Sequence, residues 1–326
     1  MKLITTKYRG KVAENCHVAN AVAVDSNDEI LFSSGEENYP AFMNQLADPI
    51  RTITLLEEKV DKEYELTDEE LALLTSMHRG EDQFTKKIAA VLNKMELGTE
   101  DLLCPETKPE DDSSYERLII QGKRPTQLHN PSSGVHTGML AFEKKLEGST
   151  GSYNSFNHPI QTKYLETMKK YADTDEIYRE VDDSGIPTFS LTLKEIAKTY
   201  CKLIKKDDEY LKKVADIMIK NNENVYSSIN FNYNFIEAMN GDGIARSNKN
   251  GIQTIGLKTS SDKFVGVTVK VLSGDNQAAS SMALEILKHL KMIDEAKINK
   301  LRKFYQPEKK DESGNTVLKM ESEIIP

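Results

Sequence analysis

Hydrophobic and polar positions change their period several times along the chain. His17 to Asp25 and Glu29 to Ser33 are short apolar runs separated by the polar Ser26-Asn27-Asp28, which predicts two strands joined as a hairpin. Ala41 to about Lys59 takes helical spacing, interrupted at Pro49. Thr67 with Glu70 forms a capping box for a helix burying Leu71, Leu74 and Met77. A further helix runs from Phe84 to Leu97, with Ile88, Val91, Leu92 and Met95 on one face and Gly98 at its end. The acidic, Pro- and Ser-containing segment from Pro105 to Ser114 predicts an exposed loop, and Tyr115 to Gln121 resumes a helical pattern. The polar stretch His129 to Leu140 then feeds straight into an amphipathic helix.

Downstream, Gly148 to Asn157 lacks any apolar period and reads either as a loop able to lie over a pocket or as a surface connection. Helices open at His158-Pro159 and at Thr192, where Glu195 completes a second capping box, and another runs from Asp207 to Lys220. Val181 to Pro187 is a turn. Tyr233 to Ala238, Gly251 to Lys258 and Lys263 to Leu272 read as strands, Asn276 to Met292 as a long helix, and the charged residues after Gln306 as a loose tail. Strands at both ends with helices between them predict an α+β fold whose terminal strands share one antiparallel sheet. The expected organisation is one interleaved domain over residues 1–305 with a tail over 306–326.

Charge narrows the partners. A formal net charge of −9 argues against nucleic acid or an anionic membrane, since binding to either rests on Lys and Arg. No run is long enough to span a membrane and the first residues lack an apolar signal core, so a cytoplasmic location is the default expectation. Cys16, Cys104 and Cys201 are too scattered for a disulfide framework or a zinc finger.

Candidate chemistry gathers in the stretch His129 to Leu140. Ser132 and Ser133 precede His136 by four and three residues, so a Ser–His nucleophile and base is conceivable, with Asp182 or Glu81 as the orienting carboxylate. The competing reading, in which both serines merely cap the helix, needs fewer assumptions. Asp48 and Glu81 are candidates for an acid–base pair, and Arg246 and Arg51 for a substrate carboxylate, against the default of solvated surface charges.

Six short motifs in a fixed order resemble the L-asparaginase II family, the thermolabile Rhizobium-type asparaginases. Glu14-Asn15-Cys16-His17, Met77-His78-Arg79-Gly80-Glu81, Leu103-Cys104-Pro105, Asn130 to Met139, His158-Pro159-Ile160-Gln161 and Asp182 to Pro187 carry the resemblance, which covers roughly Arg9 to Leu272. It implies a fold similar to serine β-lactamases and class A glutaminases, a homodimer, and a small amide or amino-acid-like ligand. Asn130, Ser133, Gly134, His78, Glu81, Arg246, Gln45 and Asp48 are the expected ligand contacts, with Ser132, His136, Ser184 and Asp182 at the chemical centre.

The family's chemistry rests on two Ser–Lys pairs and a metal site of two cysteines and a lysine. At the first pair this chain has Gln45-Leu46-Ala47-Asp48-Pro49. At the second it has Met77, with Arg246 or, in a shifted register, Lys249 at the lysine; an arginine stays protonated and is no base at neutral pH. The metal ligands correspond to Ser132, Ser184 and Val135, so no zinc and no other cofactor is expected. Two function classes follow: an amidohydrolase or acyl-transfer enzyme with a remodelled centre, or a non-catalytic homologue. Ordinary asparaginase activity is expected of neither.

Overall fold

The computed structural model describes residues 1–146 and 152–326, and the chain divides into two compact units, each drawn from separated stretches of sequence. The first comprises residues 1–46, 190–212 and 231–326; the second comprises 47–189 and 213–230. The expected loop over 148–157 falls partly outside the described residues.

Eleven strands are described: β1 (Lys2–Arg9), β2 (Val12–Asp25), β3 (Ile30–Ser34), β4 (Pro40–Phe42), β5 (Tyr178–Val181), β6 (Pro187–Thr192), β7 (Gly243–Ser247), β8 (Ile252–Lys258), β9 (Phe264–Val271), β10 (Glu308–Lys310) and β11 (Thr316–Ile325). The first unit is built on an antiparallel sheet in the order β10-β11-β1-β2-β9-β8-β7, with β3 also paired to β2. N- and C-terminal strands thus share one sheet within an α+β fold, as the pattern predicts.

Both faces of this sheet are covered, which is why β2 and β9 read as near-continuous apolar runs rather than as alternation. Ala19, Ala21, Ala23, Val265, Val267, Val269 and Val271 point into a core shared with the helix Asn276–His289. The even-numbered face carries Gly266 and Gly256, where the helix Leu193–Lys205 lies so close that an added methyl would sit 1.8 Å from the Ala197 carbonyl oxygen and 2.4 Å from that of Tyr200. Glycine at these two positions sets the depth at which the helix seats.

Three sequence expectations are corrected in this unit. Residues 233–238 are helical, within Phe231–Met239; the alternating Asn and aromatic residues mimic period two, but Phe231, Phe235 and Met239 are buried at four-residue spacing. Residues 243–247, which the sequence pattern assigns to no element, form β7. The residues after Gln306 are no loose tail: β11 pairs with β1 from Lys2↔Ile325 to Tyr8↔Lys319, and Met320 is buried among the core residues.

The second unit is mostly helical around the helix Ser133–Lys145, whose residues Ser133 to Phe142 are all buried. A helix buried on every side belongs at a centre, and the helices Asp48–Glu57, Asp68–Leu74, Asp82–Lys94 and Pro159–Ala172 surround it. Pro49 starts the first of these rather than interrupting it. Gly134 explains the close packing: a methyl there would lie 1.9 Å from the Leu73 carbonyl oxygen. Both predicted capping boxes, Thr67 with Glu70 and Thr192 with Glu195, are present.

Candidate functional site

The loop into the central helix is locked by Asn130. Its Oδ1 accepts the Ser132 N–H at 2.9 Å, and its Nδ2 donates to Thr107 Oγ1 at 3.0 Å and to the Pro105 carbonyl at 3.3 Å. Ser132 occupies the N-cap position yet makes no capping bond; its Oγ instead accepts the hydroxyl of Ser184 at 2.9 Å. Ser184 stands on the turn between β5 and β6, where Asp182 Oδ1 accepts the N–H groups of Ser184 at 2.9 Å and Ile186 at 3.1 Å. Gly185 completes that turn with a φ of +80°, a conformation that favours glycine.

His136 lies one helical turn beyond Ser132 and is fully buried, but it does not turn to either serine hydroxyl. Its Nε2 is 3.0 Å from the Ser184 carbonyl oxygen and its Nδ1 2.9 Å from the Tyr153 hydroxyl. A carbonyl only accepts, so the proton sits on Nε2, and Nδ1 accepts from Tyr153. The Tyr153 oxygen in turn accepts the Leu103 N–H at 2.7 Å. Burial pushes His136 down to about 4, although the Ser184 carbonyl favours the charged ring, and burial pushes the Tyr153 phenol up. At neutral pH the ring is therefore uncharged with both nitrogens engaged.

A second relay crosses the same helix start. The Gly80 N–H donates to His78 Nδ1 at 3.0 Å, which places the ring proton on Nε2, and that nitrogen donates to Ser133 Oγ at 3.0 Å. Ser133 Oγ in turn donates to the Leu128 carbonyl at 3.1 Å. The His78 ring stacks on Phe84 with centroids 5.1 Å apart, and burial pushes it down to about 3. Both serines are thus absorbed by side-chain partners rather than by helix capping, contrary to the simpler sequence reading. Glu81 lies apart from this network, accepting from the Arg79 N–H at 2.7 Å and from the Ser227 hydroxyl.

The two positions flanking Leu46-Ala47 are both buried. In the second unit Asp48, 2 % exposed, pairs with Arg51 at 2.6 Å, one helical turn on, and Arg51 also donates to the Pro187 carbonyl at 2.8 Å and lies over the Phe189 ring. In the first unit Arg246 is completely buried on β7, and its Nε donates to the Gln45 carbonyl at 2.6 Å. The surface-charge default fails for Asp48, Arg51 and Arg246 alike. Among the described residues the side-chain oxygen of Gln45 finds no hydrogen-bond partner although it is buried, an uncommon state for an amide.

Of the candidate residues, Ser132, Ser184, His136 and Asp182 share one network, with Asn130 at its edge; His78 and Ser133 form the adjoining relay. Gln45 and Arg246 meet in the other unit, and Gly134 serves packing. Tyr153, which fixes the His136 tautomer, sits in the aperiodic Gly/Ser/Asn/Tyr-rich segment, where nothing in the sequence separates it from a surface tyrosine. The contact between Ser132 and Ser184 joins the two positions that the resemblance assigns to metal-binding cysteines. Two neutral hydroxyls bonded to each other, with Val135 as the third member, do not suit zinc, which takes thiolate, imidazole or carboxylate ligands. Among the described residues no group of three or more His, Cys, Asp or Glu is arranged to hold a metal ion.

Among the described residues, no helix is long and apolar enough to cross a membrane. No curated protein matches the chain. The model of the L-asparaginase II family, by contrast, matches residues 5–321 of the 326, well beyond the span of the short motifs, and the chain belongs to that family.

Proposed function

We propose that this asparaginase-like chain no longer hydrolyses amides by a serine and its base, and that it retains a binding role toward a small amide or amino-acid-like ligand, as a cytoplasmic homodimer. The state of His136 carries the reading. Serine attack on a carboxamide needs a neighbouring base with a free lone pair, and His136, whose Nε2 meets the Ser184 carbonyl, spends its Nδ1 lone pair on Tyr153. Asp48, at the position of a family lysine, is tied to Arg51. The orphaned Gln45 acceptor supports a ligand that brings a donor, such as an ammonium or amide N–H.

One observation favours a second reading, acyl transfer from a remodelled centre: Ser132 stands at a helix N-terminus without capping it, so its oxygen is not held by the helix backbone. Ammonia release from L-asparagine and L-glutamine by the purified protein separates the two. No ammonia above the buffer control is expected across the neutral to mildly alkaline range. Turnover that disappears in Ser132→Ala would favour the acyl-transfer reading, and turnover that survives it would contradict both.

A further inference from the structure

A second contact between a serine and a histidine lies wholly within the first unit, and its histidine closes the Glu14-Asn15-Cys16-His17 motif that the site above leaves unused. His17 Nδ1 stands 2.7 Å from the Ser273 hydroxyl, and its Nε2 stands 3.7 Å from Asp275 Oδ2. Three local features bring these groups together. The Leu272 N–H donates to the Val18 carbonyl at 3.0 Å, which seats the turn after β9 beside His17 on β2. Gly274, with a φ of +78° and its N–H on the Val271 carbonyl at 3.0 Å, turns the chain sharply. Asp275 then caps the helix Asn276–His289 by accepting the Ala278 N–H through Oδ1, which leaves Oδ2 to face His17 and to pair with Lys7 at 3.1 Å.

The surroundings of the ring assign its proton. A bare lone pair on Nε2 would face the Asp275 carboxylate and be repelled by it, whereas an N–H there is attracted, so Nε2 carries the proton and Nδ1 accepts from the Ser273 hydroxyl. Nucleophile, base and orienting carboxylate follow one another in the order that serine acyl transfer requires. The outer contact is longer than a hydrogen bond, and among the described residues Nε2 is buried without one. Links of this kind tighten once the hydroxyl gives up its proton and the ring becomes charged. His136 spends its Nδ1 lone pair on Tyr153, whereas His17 directs the same lone pair at a serine.

Ser273 is exposed and borders an open cleft of about 570 Å³, within the size range of small-molecule sites, roughly 300–1,000 Å³. Tyr39, Phe42 and Ile252 give the cleft apolar walls. The Ser273 N–H has no acceptor among the described residues, so it is available to an oxyanion. We infer that Ser273 and His17 form a second acyl-transfer centre, which hydrolyses small carboxylic esters. His17 Nδ1 takes the Ser273 proton as Oγ bonds to the ester carbonyl carbon. The tetrahedral intermediate then collapses by breaking its bond to the alkoxy oxygen, which leaves as the alcohol with the proton held by His17. Water, deprotonated by the same nitrogen, releases the acid and restores the serine hydroxyl. Asp275 touches only the ring and is a positioning residue. An ester suits this centre better than an amide, because an alkoxide departs more readily than an amide nitrogen and asks less of one oxyanion donor. The reading of the Ser132–Ser184 pair is tested by ammonia release and is independent of this one.

Two measurements on the full chain test the assignment: turnover of p-nitrophenyl acetate, and labelling by an alkyl fluorophosphonate located by peptide mass spectrometry. Many acetates released per chain, with the phosphonate attached at Ser273, are expected. Ser273→Ala and His17→Gln should each lower the turnover by about a hundredfold or more, the scale of one proton-transfer catalyst, and each should abolish the label. Ser273→Ala should melt with the parent protein, because the residue is exposed on a turn; it decides the matter alone if His17→Gln does not fold. Release of a single equivalent of acetate, a phosphonate attached elsewhere than Ser273, or turnover unchanged in Ser273→Ala or in a folded His17→Gln would each overturn the inference.

Discussion

Taking the protein from about pH 7 to about pH 5 is expected to remove about 4 kcal/mol of folding stability, about 2 kcal/mol from each of His78 and His136. Both rings are held neutral in the folded chain, at about 3 and about 4 against an ordinary value of 6.5. The sign follows from proton binding. Above 6.5 both states are neutral and nothing is lost; as the pH falls below it the unfolded chain takes up protons that the folded chain refuses until about 4 or 3. Stability is therefore fully present on the alkaline side and declines through the window from 6.5 down to the folded values. Asp182, whose carboxyl is raised by desolvation, acts in the opposite sense on the acid edge of this window, since its folded form gains protons first. Urea unfolding at a series of pH values reads the effect. A profile flat between the two values would show that the rings titrate freely in the folded protein. Replacing His136 by Gln should lower stability overall yet reduce the drop between the two pH values by about half.

Asp48→Asn is expected to cost about 3–5 kcal/mol, and Asp48→Lys at least as much, because each leaves the Arg51 guanidinium buried without its carboxylate. The second change restores the residue type that the resemblance assigns to this position. It would put two like charges one helical turn apart in a place that solvent cannot reach, so the lysine cannot return without rebuilding its surroundings. The double change Asp48→Leu with Arg51→Met removes both charges and should be less damaging than Asp48→Asn alone, since desolvation offsets much of what a buried pair gains. Midpoints from urea or thermal unfolding decide the matter. A loss below about 1 kcal/mol for Asp48→Asn, the scale of an exposed pair, would mean that water reaches the site.

Local signals in the sequence report this fold well, and tertiary ones poorly. The two capping boxes and the hairpin of β2 and β3 are readable because their determinants lie within a few residues. The helix Phe231–Met239 is misread because spaced aromatics serve either period until packing chooses between them. β11 is missed because its charged residues point to solvent on a sheet edge region while only Met320 is deeply buried. At the site, the i, i+3 spacing of Asp48 and Arg51 is visible in the sequence, but their burial is not, since charged residues are exposed by default. Ser132 and Ser184 are 52 residues apart, and only the family resemblance hints that they meet. The orientation of His136 toward a backbone carbonyl has no sequence signal at all; it depends on where the turn Asp182 to Ile186 lands.

That orientation is the centre of the account, and the tautomer of His136 is its most direct test. Two-bond ¹H–¹⁵N correlation spectra of the imidazoles, assigned with a His136→Gln variant, report which nitrogen carries the proton and how the ring titrates. A neutral ring protonated on Nε2, unchanged from neutral pH down to about 5, is the predicted result. A His136 that titrates near 6.5, or one that carries its proton on Nδ1 with Nε2 free, would contradict the account and return a working base to the serine pair.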